Sequence, residues 1–362
     1  MRVRPGSRWL TAAAGALLVT ALAACSSSSG SSSQGSGASF KSQTIAQLQK
    51  QANTEGQVNW YTTFADTDVK PMVAAFNKQF PKIKINALRL SADQLPPRVI
   101  TEQKGHKYNA DVVSGDSPQV AQLVNAGALQ PYTPPDEAPV PTGLTMQKGY
   151  TAVIYVVTTV IAWNPTALKQ AGLTAPTSWQ DLTKPQWKGK FSIDPGAVNW
   201  YDALIQQMGH AKALALIQAL GKNKPKLVTS HTEAITQVEA GEPIASATTY
   251  GYKSSSESKK NPSQITFVNT DPLPASLTLI DLAKNPPHPA AAELFEDWMM
   301  SQAGQQEVVN QTNHTSLRSD VTNDPKVWNT STWPAVWGTP LMTNTTYNSE
   351  VKEMDQAFGV NS

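Results

Sequence analysis

Ala110-Asp111-Val112-Val113-Ser114-Gly115-Asp116-Ser117-Pro118 is the stretch on which the fold turns. Its first four residues suit a short buried strand and the next four a polar loop. Ser117-Pro118 ahead of Val120, Leu123 and Val124 then predicts an N-capped helix with proline at its first position. Upstream, residues 58–64 (Val-Asn-Trp-Tyr-Thr-Thr-Phe) read as a strand, and 68–80 carry Val69, Met72, Val73 and Phe76 at helical spacing until Pro81. Ile83, Ile85 and Leu88 alternate as a second strand, and 96–103 suit another helix. Strand, helix, strand, helix, strand signals a parallel α/β sheet. In such a sheet the free N–H groups of the helix at Ser117 face whatever lies beyond the strand end.

Downstream, a proline-rich segment at 131–141 breaks the pattern and precedes 150–163, a long Val/Ile/Thr run that suits a strand crossing between two lobes. Residues 168–188 bring turn chemistry and tryptophans. A second α/β unit follows: strand 191–195, helices at 200–208 and 211–220, a helix at 232–240 closed by Gly241, and strand 244–249 leading into Tyr250-Gly251-Tyr252. Strands are expected again at 265–268 and 276–283, then an amphipathic helix at 290–300, and beyond it short helices at most.

The N-terminus carries a different kind of signal. Arg2, Arg4 and Arg8 precede a Leu/Ala/Val-rich run at 9–21, the layout of a secretory signal peptide over residues 1–24. Leu22-Ala23-Ala24-Cys25 resembles the bacterial lipobox, which places a lipid on Cys25; the alternative is cleavage after Ala23 with Cys25 incidental. Residues 26–39 are only Ser, Gly, Gln and Ala, so 25–40 form a linker with a reach of about 20 Å. No later apolar run approaches the ~20 residues that span a bilayer. Cys25 is the single cysteine, which leaves the exported fold without an internal disulfide and dependent on core burial. Some 320 residues supply such a core, as two domains rather than one. The 29 basic and 27 acidic side chains become 26 and 27 once the three leader arginines are removed, a balance that argues against a nucleic-acid partner.

Signatures of catalysis are missing: no Gly-x-Ser-x-Gly, no His-Glu-x-x-His, no phosphate-binding Gly-x-x-x-x-Gly-Lys and no cysteine pair. His106, His210, His231, His288 and His314 fall singly and are expected on the surface rather than as ligands. Asp116 and Asp194 are the best acid candidates for an enzyme, and neither has a partner visible in the sequence.

Several segments, in order, resemble the bacterial solute-binding lipoproteins of ABC importers, in the ferric-iron-type branch with the type II periplasmic-binding-protein fold. They are Glu55-Gly56, Ala110-Asp111-Val112-Val113, Asn125-Ala126-Gly127-Ala128-Leu129, Trp179-Gln180-Asp181-Leu182, Trp187-Lys188-Gly189-Lys190, Gly241-Glu242-Pro243-Ile244-Ala245, and Ala290-Ala291-Ala292-Glu293-Leu294-Phe295 with Ser301-Gln302-Ala303-Gly304-Gln305. The resemblance implies an α/β, two-lobed fold with crossing hinge strands, one lobe at 41–158 plus 276–320 and the other at 159–275 plus 321–362. It implies a monomer without enzyme activity or resident cofactor. Such a protein is held at the outer face of the membrane by its lipid, captures a small-molecule or metal solute between the lobes, and delivers it to ABC permease subunits.

Ligands of open α/β sheets sit beyond the carboxyl ends of strands, which nominates Thr62, Thr63, Ser114, Asp116, Ser117, Asn199, Trp200, Tyr201, Tyr250 and Tyr252. For ferric iron the resemblance implies Asp116, Tyr250 and Tyr252 as ligands. Here the two tyrosines are split by Gly251, and Thr62-Thr63-Phe64-Ala65-Asp66 stands where relatives carry a histidine. An oxyanion would use the helix at Ser117 and Lys253; an organic amine would use Asp116 with Trp200 or Tyr250 as a cation–π wall. Two other classes stay open: an exported cell-envelope enzyme, and a sensory or structural lipoprotein without transport.

Overall fold

The computed structural model describes residues 45–141, 144, 147–329, 331, 332 and 334–360. The signal peptide, Cys25 and the linker lie outside the described residues. The first part of the chain runs α1 (Ile45–Glu55), β1 (Gln57–Thr62), α2 (Asp66–Gln79), β2 (Lys84–Arg89), α3 (Leu95–Lys104), β3 (Val112–Asp116), α4 (Ser117–Asn125), β4 (Leu129–Gln130) and the long β5 (Val153–Trp163). It continues with α5 (Pro165–Gln170), β6 (Phe191–Ile193), α6 (Val198–Met208), α7 (His210–Lys222), β7 (Lys226–Leu227), α8 (His231–Ala240), β8 (Ala245–Tyr250), α9 (Gly251–Lys260) and β9 (Thr266–Val268). It closes with β10 (Leu273–Ala283), α10 (Pro289–Met300), α11 (Gln302–Thr312), β11 (Ala335–Trp337) and α12 (Asn344–Phe358).

The architecture is mixed α/β, with strands ordered β2-β1-β3-β10-β5-β8-β6-β7. β1 pairs in parallel with β2 and β3, as the alternating pattern requires, and β10 enters antiparallel beside β3. β5 changes partner along its length. Val153 to Thr158 pair with β10, whereas Thr159 to Trp163 pair with β8 and β9. One continuous apolar strand therefore carries both halves of the sheet, and its two faces are buried almost throughout.

Two main cores follow from this. Trp60, Phe76 and Phe295 pack edge-on in the first, with ring centroids 5.3 Å apart for Trp60–Phe295 and 5.0 Å for Phe76–Phe295. The second gathers Trp187, Phe191, Trp200, Tyr201, Met354 and Phe358. Each such side chain contributes about 1.5–3 kcal/mol through burial.

Two expectations need correction. The tail carries more than short helices: α11 has 11 residues and α12 has 15. Thr343 caps α12 through its hydroxyl, and Gly359 ends it in the left-handed conformation (φ 70°). Its apolar stripe, Tyr347, Val351, Met354 and Phe358, recurs at helical spacing, although only Met354 and Phe358 of it are buried. The histidines are not uniformly superficial either. His106 and His210 are exposed, but His288 is half-buried against Asp111, and His314 is 2 % exposed between the rings of Tyr155 and Tyr252, both at 3.7 Å.

α10 buries charge as well as apolar surface. Asp281, Glu293 and Glu296 are each no more than 2 % exposed. One carboxyl oxygen of each lacks any hydrogen-bond partner. Burial, reinforced by mutual repulsion with Asp297, Glu137 and Glu55, pushes Glu293 up to about 8 and holds Asp281 and Glu296 well above the carboxylate range. Tyr132 donates its hydroxyl to Asp297 (2.8 Å), whose carboxyl rises to about 6 through burial. A carboxyl raised in the folded state stabilises fully below its unfolded pKa near 4, and that contribution is lost as pH climbs through the folded values. The melting temperature is expected to fall between pH 5 and pH 9. Glu296→Gln is expected to raise Tm at pH 8 by about 2–4 °C and to leave it unchanged at pH 4.5, which calorimetry across pH checks.

Candidate functional site

The ends of β3, β6, β8 and β10, with the middle of β5, converge on a cavity of about 610 Å³, within the range typical of small-molecule sites. From the first sheet comes Asp116, which caps α4 and is paired in register with Thr278 of β10. The Thr278 hydroxyl donates to Asp116 Oδ1 at 2.8 Å. Burial raises the Asp116 pKa, while that hydrogen bond and the charge of His231 draw it back. Gln119 on α4 and Asp93 in the turn before α3 line the same side.

The opposite side is built on the exit of β6. Asp194 receives the Gly196 N–H on Oδ1 (2.8 Å), which folds the chain back so that Asn199 and Trp200 start α6 against the cavity. His231 at the start of α8 donates Nδ1–H to the Thr248 carbonyl (2.5 Å), and its Nε2 lies 3.5 Å from Asp194 Oδ2. Its ring lies on Tyr250 with centroids 3.8 Å apart. Burial first, then the Asp116 carboxyl, hold the Tyr250 phenol well above 10. Two buried polar atoms of lining residues are unpaired: the Trp200 Nε1 donor and the Gln119 Oε1 acceptor. Three carboxylates and one imidazole line the cavity, and no Lys or Arg does so among the described residues.

Of the nominated residues, Asp116, Asn199, Trp200 and Tyr250 meet there. The others have internal partners. Ser114 accepts from Trp60 Nε1 and donates to Thr62, each at 2.8 Å, and both hydroxyls are sealed in the core. Thr63 is half-buried and donates its backbone N–H to Ser114 O. Ser117 donates to Leu277 O (2.8 Å), and Tyr201 turns away to Glu353 (2.6 Å). Tyr252 stacks on His314 rather than lining the cavity, so the two tyrosines do not converge on one point, their rings being 6.0 Å apart. Asp93, Gln119, His231, Tyr347 and Asn348 also line the cavity. His231 alone left a usable trace, as the first residue after a Ser230 cap. Among the described residues no three His, Cys, Asp or Glu side chains converge as a metal site, and no helix is long and apolar enough to cross a membrane.

Residues 71–335 match the family of bacterial extracellular solute-binding proteins. The chain belongs to that family. This solute-binding protein is 26% identical over 249 residues to the Fe(3+)-binding periplasmic protein of Serratia marcescens, covering 66% of this chain and 72% of that one. It is 32% identical over 111 residues to a Sinorhizobium fredii protein named "Probable ABC transporter periplasmic-binding protein y4fP", 30% of each chain. Its fold is similar to the periplasmic binding protein AfuA from Actinobacillus pleuropneumoniae, solved with fructose-6-phosphate bound. There the TM-score is 0.75 and the identity 19%, over 84% of this chain and 99% of that one.

Gly251 explains why the solute-binding protein splits its tyrosines. A Cβ there would collide with the Thr158 hydroxyl of β5 and press Val327 and Val160, so α9 starts only where no side chain intervenes. Gly251→Ala is expected to cost about 1–3 kcal/mol, read as a lower Tm, with Tyr250 displaced from His231.

Proposed function

We propose that this protein is the lipid-anchored, extracytoplasmic solute receptor of an ABC importer and that its solute is a small organic amine carrying a hydroxyl or carbonyl group. The observation that carries the reading is the cavity's charge: Asp93, Asp116 and Asp194 line it, with no Lys or Arg among the described residues. A cation held at Asp116 shares the cavity with the aromatic side chains of Tyr250 and Trp200. Gln119 Oε1 accepts from its N–H, and Trp200 Nε1 donates to its oxygen. An oxyanion would have only His231 and helix N-termini as positive partners. Ferric iron would find the phenols of Tyr250 and Tyr347, three carboxylates and one imidazole, but among the described residues no three carboxylate or imidazole groups converge as a metal site, and Tyr252 is stacked elsewhere.

The change of partner in β5 between Thr158 and Thr159 supports a lobe boundary at that point, with 41–158 plus 276–320 as one lobe and 159–275 plus most of 321–362 as the other. β11 pairs with Leu273–Ala275 of β10, at the boundary itself, and packs against the cluster of Tyr61, Leu95 and Val113, whereas Met354 and Phe358 lie in the second core. Closure of the two lobes over the solute, without chemistry, is the transport role. The receptor works as a monomer, and Cys25 carries the lipid.

Titration calorimetry with a panel of amino alcohols and simple amines tests the solute. At least one is expected to bind, and Asp116→Asn is expected to weaken it 10-fold or more. A visible phenolate–iron absorption band on adding ferric citrate, with amines silent, would overturn the amine reading. Cys25→Ser is expected to move the protein from the membrane to the soluble fraction, and unchanged partitioning would remove the anchor.

A further inference from the structure

The C-terminal helix links the two sides of the cavity. Met354 and Phe358 seat α12 in the second core, and Glu353 accepts the Tyr201 hydroxyl at 2.6 Å and faces His210 at 2.9 Å. Its first turn leaves that core, packs against α4, and brings Tyr347 and Asn348 to the cavity. Among the described residues no hydrogen bond engages the Tyr347 hydroxyl, and the ring is half-buried. The charges acting on this phenol are Asp116 and Asp93, secondary to its own burial. A free O–H donor on a stiff aromatic arm, carried by one lobe, thus faces the carboxylates of the other.

We propose that the first turn of α12 is the solute-selecting wall of the cavity, with Tyr347 as the specificity-determining residue that donates a hydrogen bond to a solute held at Asp116. The proposal rests on the solute-receptor reading and adds which element discriminates. The ring limits how far a solute extends from Asp116. The hydroxyl rewards an acceptor at that distance and leaves an unpaired buried donor when none is present. Because α12 is rooted in the second core, this contact forms as the lobes close, which makes closure depend on solute shape.

The test uses the full chain, with an amine and amino-alcohol series of increasing length as added probes. Native mass spectrometry of any solute retained on purification runs in parallel and makes no assumption about chemistry. Tyr347→Phe keeps the wall and is expected to weaken binding by about 2- to 12-fold with the length ranking intact. Tyr347→Ala removes the wall and is expected to weaken binding further and flatten the ranking, with Tm of the unliganded protein little changed. Wild-type affinity and ranking in Tyr347→Ala would overturn the proposal. A non-amine solute that is retained by wild type and lost from Tyr347→Ala would overturn the amine reading and uphold the role of Tyr347. A solute-free measurement checks the placement: Gln122→Cys with Asn348→Cys, in a Cys25→Ser background, is expected to be bridged by a short bifunctional maleimide. Failure to bridge would overturn it.

Discussion

The rest of the structure depends on the backbone pairing of one strand. β5 gives its first six residues to β10 and its last five to β8 and β9, so a single extended segment is the common support of both sheets. Strand pairing satisfies every N–H and C=O only in register. This sets where the carboxyl ends of β3, β6 and β8 point, and they point at one cavity. Thr159 of β5 and Ser276 of β10 lie on its floor, where the two sheets meet. Opening or closing the cavity must therefore work through the strands that support both sides.

Electrostatics gives that cavity its character. In a family whose relatives include a named Fe(3+)-binding protein, this chain surrounds its cavity with carboxylates and aromatic side chains. The polar groups that might have served a ligand are largely committed inside the fold. Ser114 and Thr62 serve Trp60, Ser117 ties α4 to β10, and Tyr201 anchors α12. What is left unpaired at the cavity, Gln119 Oε1 and Trp200 Nε1, is one acceptor and one donor on opposite sides. Buried polar atoms are expensive to leave unmatched, which makes these two the most informative about what the cavity is shaped to hold.

How much of this was legible in the chain can be judged element by element. The alternation from Val58 to Val113, the crossing run at 150–163 and a helix start at Ser117-Pro118 were readable, because strand and helix periods and proline geometry are local properties; the cap position itself falls to Asp116, whose side chain makes no capping bond, while Ser117 bonds the Leu277 carbonyl. Asp116, Asn199, Trp200 and Tyr250 were readable as residues that line one cavity, since strand ends in open α/β sheets face a common crevice. Thr62 and Ser114 were nominated by the same rule, yet their side chains point into the core, because the pleat alternates faces and a one-residue step reverses direction; Ser117 and Tyr201 sit on helices, where they turn to the Leu277 carbonyl and to Glu353. α12 was missed. Tyr347, Val351, Met354 and Phe358 do recur at helical spacing, but they sit among polar residues, and the helix is held by docking on α6 and α7 rather than by its own propensity.

By itself, then, the sequence determined the class of the protein: an α/β chain with a sheet-crossing strand and no catalytic signature. Those traits follow from periodicity, composition and motif, which need no knowledge of distant contacts. Only the tertiary structure decided which side chains form the cavity. It brought His231 against Asp194 and Tyr250, turned Tyr252 onto His314, and carried Tyr347 across to Asp93 and Asp116. The reason is that a site between two sheets is assembled from residues more than two hundred positions apart, and their meeting is set by strand register and helix docking, which no local pattern encodes.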